Sequence, residues 1–293
     1  MPSAASQPTP FRSYIEPNTD AEFPAEKGRY HLYVTYSCPF ACRALSARNL
    51  KGLEDIVGLS VAHPVFQKTK PDDPSDSHLG WTFTDPAKTM TFVGADGIEY
   101  PTEGTIPDSV NGSTFVRDLY ELVDTTPRQY TLPLLWDKKK QTILVPATLE
   151  KELHEANDGI VAEVGNHFFH ALLAKDEATK KAAEEAEWTA LHKLDDLLAT
   201  KRYLVGDGIT EADIRLFHTL IRLDVILTKE NNENLTKRTN IVGYLRDLYQ
   251  TPGIKSSVHW EHVKIGTRNK KPDLTPVNGP FVDYEASHSR ANL

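Results

Sequence analysis

The residues best suited to chemistry lie in Tyr36-Ser37-Cys38-Pro39-Phe40-Ala41-Cys42-Arg43. Cys38 follows an apolar run, Tyr30 to Thr35, that reads as a buried strand, and it precedes a helical segment, Arg43 to Leu50. A thiol at a helix N-terminus faces unpaired N–H groups and the positive end of the helix dipole, both of which favour an anion. The thiolate is the nucleophilic form. Pro39 suits the first helical position, where its missing N–H loses nothing. Cys42 comes one turn later, a C-x3-C spacing rather than the C-x-x-C of redox pairs, and reads as a small buried residue.

Other reactive side chains carry less. His167/His170 and His259/His262 are each three residues apart, and no cysteine or carboxylate set completes a zinc site, so no metal is expected. Lys175 to Glu187 reads as a solvated helix face. Phe40, Trp81, Tyr100 and Trp136 are candidates for an aromatic pocket, with Trp136 better suited to a core.

The elements that position Cys38 can be read from periodicity. Residues 1–28 form an extended arm rich in Pro, Ser and Ala. From residue 29 the order is strand, helix, strand, ending near Phe66, a βαβ unit whose strands should be parallel. Met90–Val93 and Ile98–Tyr100 flank Gly94–Gly97 as a hairpin. Phe115 to Val123 has helical spacing, and Thr131–Asp137 and Gln141–Val145 are strands around a lysine turn. From Thr148 to Tyr249 the period is helical, with Trp188, Leu191, Leu194 and Leu198 on one face. In Ile209-Thr210-Glu211-Ala212-Asp213-Ile214, Thr210 can cap a helix while Asp213 reaches back, and Ile209 and Ile214 can form a staple. The division is therefore 1–28 arm, 29–147 α/β domain, 148–255 helical domain and 256–293 C-terminal tail.

The chain has 293 residues, net charge −8 and a sequence pI near 5.8, which argues against a nucleic-acid surface. No apolar run is long enough for a membrane span. The N-terminus lacks the pattern of a secretory signal, and two cysteines suit a reducing compartment, so a cytoplasmic location is expected.

Together RYHLYVTYSCPFACRAL, GWTF, LPLLWDKK, RYLVGDGITEADIRLFHTLIRLD and YLRDLYQTPGI resemble cytosolic glutathione transferases, and in particular the glutathionyl-hydroquinone reductases of the Xi class. The resemblance implies an α/β thioredoxin-like N-terminal domain and an all-α C-terminal domain, assembled as a homodimer. It also implies a Cys38 thiolate as catalyst, and glutathione as the cofactor, contacted by Trp81, Leu132 and a cis Pro133. Tyr36, Phe40 and Arg128 are then the candidate substrate contacts.

The chain departs from that pattern. A Glu-Ser pair that holds the γ-glutamyl end of glutathione in relatives corresponds here to Ala147-Thr148. Each lost charge-assisted partner is worth about 1.5–3 kcal/mol, so two would weaken glutathione by about two orders of magnitude or more. The last helix of the thioredoxin-like domain is expected to be missing or merged. Pocket tyrosines of relatives are replaced by Val161, Val225–Leu227 and Ile265–Thr267. These departures point to an enzyme acting on an aromatic, quinone-like or polycyclic small molecule in the interdomain cleft. Its glutathione site would be weakened or lost, and its chemistry shifted to isomerisation, cyclisation or elimination in specialised metabolism. Two alternatives stand beside it: a glutathionyl-hydroquinone reductase using Cys38 and a mixed disulfide, and a non-catalytic binding or scaffold protein.

Overall fold

The structure is a computed structural model and describes residues 13, 15–144, 157–226, 234–270 and 279–293. β1 (Tyr30–Val34) is buried along its whole length, as its unbroken apolar sequence requires. The chain then turns into α1 (Pro39–Leu50) and returns as β2 (Gly58–Val61), parallel to β1 as the βαβ reading expects. β3 (Phe66–Lys68) and β4 (Leu79–Trp81) pair as one hairpin, and β5 (Thr91–Val93) and β6 (Glu99–Pro101) as another, with Gly97 at φ 78° in the turn. α2 (Val116–Glu121) starts where the Asp118 carboxylate accepts the Thr114 and Phe115 N–H groups at 3.1 and 2.8 Å. β7 (Leu134–Asp137) and β8 (Thr142–Leu144) complete a mixed sheet of order β2-β1-β7-β8. Its core gathers Leu32, Val34, Leu45, Val61, Leu134 and Trp136, so Trp136 belongs to packing.

The second part is helical: α3 (Ala162–Leu173), α4 (Glu177–Leu198), α5 (Glu211–Ile226), α6 (Thr239–Tyr249) and α7 (Trp260–Lys270). Trp188, Leu191, Leu194 and Leu198 of α4 are buried against Leu216, Phe217 and Leu220 of α5 and Tyr244, Leu245 and Leu248 of α6. The α5 start is built around Asp213. Its carboxylate accepts from Thr210 N (2.9 Å), Thr210 Oγ1 (2.7 Å), Leu204 N (2.8 Å) and Tyr244 Oη (2.9 Å). Thr210 thus donates to the carboxylate, and one buried acid ties the helix start to two neighbours.

The segment read as a tail is ordered around α7, whose Val263 and Ile265 are buried. Beyond it, Asp224 of α5 accepts from the Phe281 and Val282 N–H groups and the Tyr284 hydroxyl at 3.1 to 3.2 Å. The expected missing or merged helix falls at 145–156, outside the described residues, as do Ala147 and Thr148.

Candidate active site

The turn that carries Cys38 is pinned from both domains. Cys38 is the N-cap of α1, with extended backbone (φ −94°, ψ 118°) and Pro39 inside the first turn. Its Sγ is 7% exposed at the residue level and lies 3.8 Å from the Leu132 carbonyl oxygen. The Leu132–Pro133 peptide is cis. Tyr120 Oη of α2 donates to the Thr131 carbonyl at 3.0 Å, fixing that strand entry. Trp81 on β4 packs edge-on against Phe66 at 4.9 Å, and its buried Nε1–H has no partner among the described residues. The thiol of α1 thus meets the carbonyl edge that leads into β7, and Trp81 of β4, with its unspent indole donor, packs on the same apolar cluster as Cys38 and Leu132.

The helical domain holds the turn from behind. Arg222 of α5, 4% exposed, donates to the Tyr36 carbonyl at 3.0 Å and to Cys42 Sγ at 3.5 Å. Burial raises the Cys42 thiol, although the Arg222 charge opposes it, so Cys42 is held as a neutral thiol pointing at backbone oxygens. Ser46 Oγ of α1 bonds His218 Nε2 at 2.8 Å and Ser257 Oγ at 2.7 Å. Gly266 of α7 lies so close to the turn that a Cβ there would sit 2.3 Å from Ser37 Cβ.

The other expected ligands are dispersed. The Tyr36 ring stacks on His259 at 5.5 Å and meets His262 edge-on at 5.6 Å. His262 in turn lies 5.8 Å from His63 and donates to the Glu103 carbonyl at 2.7 Å. Burial pulls His63 down to about 4 and His262 to about 3, so both are neutral at pH 7. Arg128 is ion-paired with Asp124. Phe40 is 51% exposed and stacks with Phe169 of α3 at 6.2 Å, on the side of α1 that meets the helical domain. Among the described residues no group of three or more His, Cys, Asp or Glu side chains could hold a metal ion. No described helix is long and apolar enough to cross a membrane.

A mixed thioredoxin-like sheet, a cysteine capping its first helix, and a helical domain behind that cysteine define a glutathione transferase fold. Residues 180–247 match the family model for the glutathione S-transferase C-terminal domain. Glutathionyl-hydroquinone reductase YqjG of Escherichia coli is 31% identical over 94% of this chain and 86% of its own length. Glutathionyl-hydroquinone reductase PcpF of Sphingobium chlorophenolicum is 29% identical over 88% of this chain and 83% of its own. Among solved structures, the Xi-class transferase of Natrialba magadii superposes with a TM-score of 0.79 at 32% identity, covering 97% of this chain and 92% of its own. Glutathione-bound YqjG gives 0.77 at 28% identity, covering 96% of each chain. This chain belongs to the glutathione transferase superfamily, and it is a glutathione transferase-like enzyme whose relatives are of the Xi class.

These relatives overturn the expectation of an isomerase, cyclase or lyase freed from glutathione. Two of them are named as glutathionyl-hydroquinone reductases, and one is a glutathione complex with the same fold. That expectation rested on Ala147 and Thr148, the missing or merged helix and the replaced pocket tyrosines. Ligand binding is spread over many contacts, and the Leu132–Pro133 edge, the Trp81 donor and the thiol lie in other elements.

Proposed function

We propose that this chain is a glutathione-dependent reductase of glutathionyl-hydroquinones, with Cys38 as the nucleophile. The observation that carries the reading is the Cys38 thiol at the N-cap of α1 against the cis Leu132–Pro133 edge, with Trp81 packed on the same cluster. The peptide part of glutathione would pair with the backbone at Leu132, and Trp81 would donate to it. Phe40 would meet the aromatic ring. Tyr36 contributes its carbonyl to the turn, and Arg128 with Asp124 borders the Leu132 approach. The thioredoxin-like part over 29–147 supplies the glutathione side, and the helices from 148 supply the aromatic side.

The reaction is thiol exchange in two steps. The Cys38 thiolate attacks the conjugate's sulfur, the sulfur–carbon bond breaks, and its electron pair departs with the hydroquinone, which takes up a proton. A Cys38–glutathione disulfide remains. A second glutathione thiolate attacks the glutathione sulfur of that disulfide, releasing oxidised glutathione and restoring the Cys38 thiolate. The two glutathione sulfurs thereby supply the two electrons that the aryl carbon gains.

Glutathionyl-hydroquinone supplied with glutathione tests the reading. The wild type should form hydroquinone and oxidised glutathione, Cys38→Ser should fall to background, and mass spectrometry should find glutathione on Cys38. Turnover surviving in Cys38→Ser, or no turnover in the wild type, rejects it.

A further inference from the structure

Three arginines, Arg43, Arg215 and Arg222, gather beside α1 with a single carboxylate, Glu211, acting on them among the described residues. The Arg43 guanidinium lies over the Phe40 ring at 4.7 Å. The same ring stacks with Phe169 at an interplanar angle of 18°. Arg215 and Arg222, seven residues apart, share the face of α5 that packs on α1. Burial, together with the charges of Arg215 and Arg222, lowers Arg43 to about 10, against the opposing influences of Cys38 and Glu211. The buried Nε atoms of Arg43 and Arg222 have no hydrogen-bond partner among the described residues, whereas Arg215 Nε faces Glu211. Among the described residues, the one acidic side chain ion-paired to this group is Glu211, 3.2 Å from Arg215 Nε.

A planar guanidinium with unspent donors is suited to an oxyanion, and an exposed aromatic ring beside it is suited to an arene. We infer that Phe40, Phe169 and Arg43 form a seat for an aromatic oxyanion, with Arg43 donating to the oxygen and Arg215 and Arg222 reinforcing the field. The choice of ligand rests on the reductase reading, in which the oxyanion is the phenolate of the departing hydroquinone. In the keto tautomer of the conjugate, the ring carbon bound to sulfur already carries the added proton. Attack by Cys38 on the sulfur then sends the electron pair of the broken sulfur–carbon bond through the ring to the carbonyl oxygen. The hydroquinone leaves as a phenolate, which Arg43 stabilises before it takes a proton from water. A preorganised cation at the atom where charge develops lowers that barrier directly.

The test is binding of a series of nitro- and chlorophenols of graded acidity at one pH, followed by calorimetry. Wild-type affinity should rise with the ionised fraction, by about 10- to 100-fold from neutral to fully ionised members. Arg43→Met should lose that preference, Arg43→Lys should keep most of it, and Phe169→Leu should weaken all members alike. Iodoacetamide alkylation of Cys38 should slow far less in Arg43→Met than phenolate binding weakens. Wild-type binding indifferent to ionisation overturns the inference. So does an Arg43→Met variant in which alkylation slows as much as phenolate binding weakens, since Arg43 would then serve the thiol. A wild type that prefers phenolates yet reduces no glutathionyl-hydroquinone would refute the reductase reading and leave this seat in place.

Discussion

Glu187 is a carboxyl that the fold holds against its own chemistry, and replacing it should stabilise the protein. It sits in α4, 1% exposed, and neither oxygen has a hydrogen-bond partner among the described residues. Burial pushes it up from 4.5 to about 9, partly offset by the Phe168 backbone and reinforced by the Glu163 charge. The folded state therefore keeps the proton across neutral pH, while the unfolded chain releases it above 4.5. The sign follows: stability is greatest below pH 4.5 and falls as pH rises towards 9. Each pH step between 4.5 and 7 costs about 1.4 kcal/mol, so uptake of that proton at pH 7 costs about 3 kcal/mol. Glu187→Gln keeps the shape and removes the titration. It should be more stable than wild type by about 3 kcal/mol at pH 7, by less than about 1 kcal/mol at pH 5, and by about 6 kcal/mol at pH 9. Urea unfolding at the three pH values reads this as a change in midpoint at constant slope. A difference that is flat from pH 5 to 9, or absent at pH 7, would show that Glu187 reaches water or a partner and would refute the reasoning.

Gly266→Ala places a methyl 2.3 Å from Ser37 Cβ, so either α7 or the Cys38 turn must move. An overpacked contact of this kind costs about 1–3 kcal/mol, and iodoacetamide labelling of Cys38 should change with it; unchanged labelling and stability would show that the two elements are not in close contact. The histidine seam between the domains should make the protein acid-sensitive, because His63 and His262 stay neutral when folded and ionise below 6.5 when unfolded. Stability should therefore be lost as pH falls below 6.5, by about 2 kcal/mol per imidazole at pH 5. His63→Phe should remove about half of the loss due to this pair in urea titrations, and an unaltered acid limb would place that loss elsewhere.

What could be read from the chain was local. A strand, a Cys-Pro step and a helix are contiguous in sequence, so the N-cap position of Cys38 followed from backbone rules alone. The parallel pairing of β1 and β2, the hairpin at Gly97 and the helix start at Asp213 rest on the same short-range logic. Side-chain direction was not readable. Tyr36 lies two residues from Cys38 and was expected in the substrate pocket, yet its ring stacks on His259 and His262, more than two hundred residues away in the chain. No pattern within α5 marks Arg222 as facing the Cys38 turn, because Leu223 and Ile221 are as fully buried. The 256–293 tail contains α7, whose Val263 and Ile265, two residues apart, lie on different sides of the helix and make no amphipathic stripe that a sequence reading could use. Its glycine carries the information, and only the position of Ser37 gives that glycine a meaning.

These long-range contacts fasten the helical domain to the turn that carries Cys38. The sheet and α1 suffice to point a thiol at the Leu132 edge, but that turn is short and its carbonyls need partners. Arg222 supplies one for Tyr36, the Ser46–His218–Ser257 cluster fixes the middle of α1, and Gly266 lets α7 close against Ser37. The same α5 face brings Arg215 towards Arg43. Helical packing that positions the thiol therefore also gathers the positive charge beside it. A substitution on α5 that loosens the turn should on this view also weaken anion binding on α1, whereas Arg43→Met alone should separate the two.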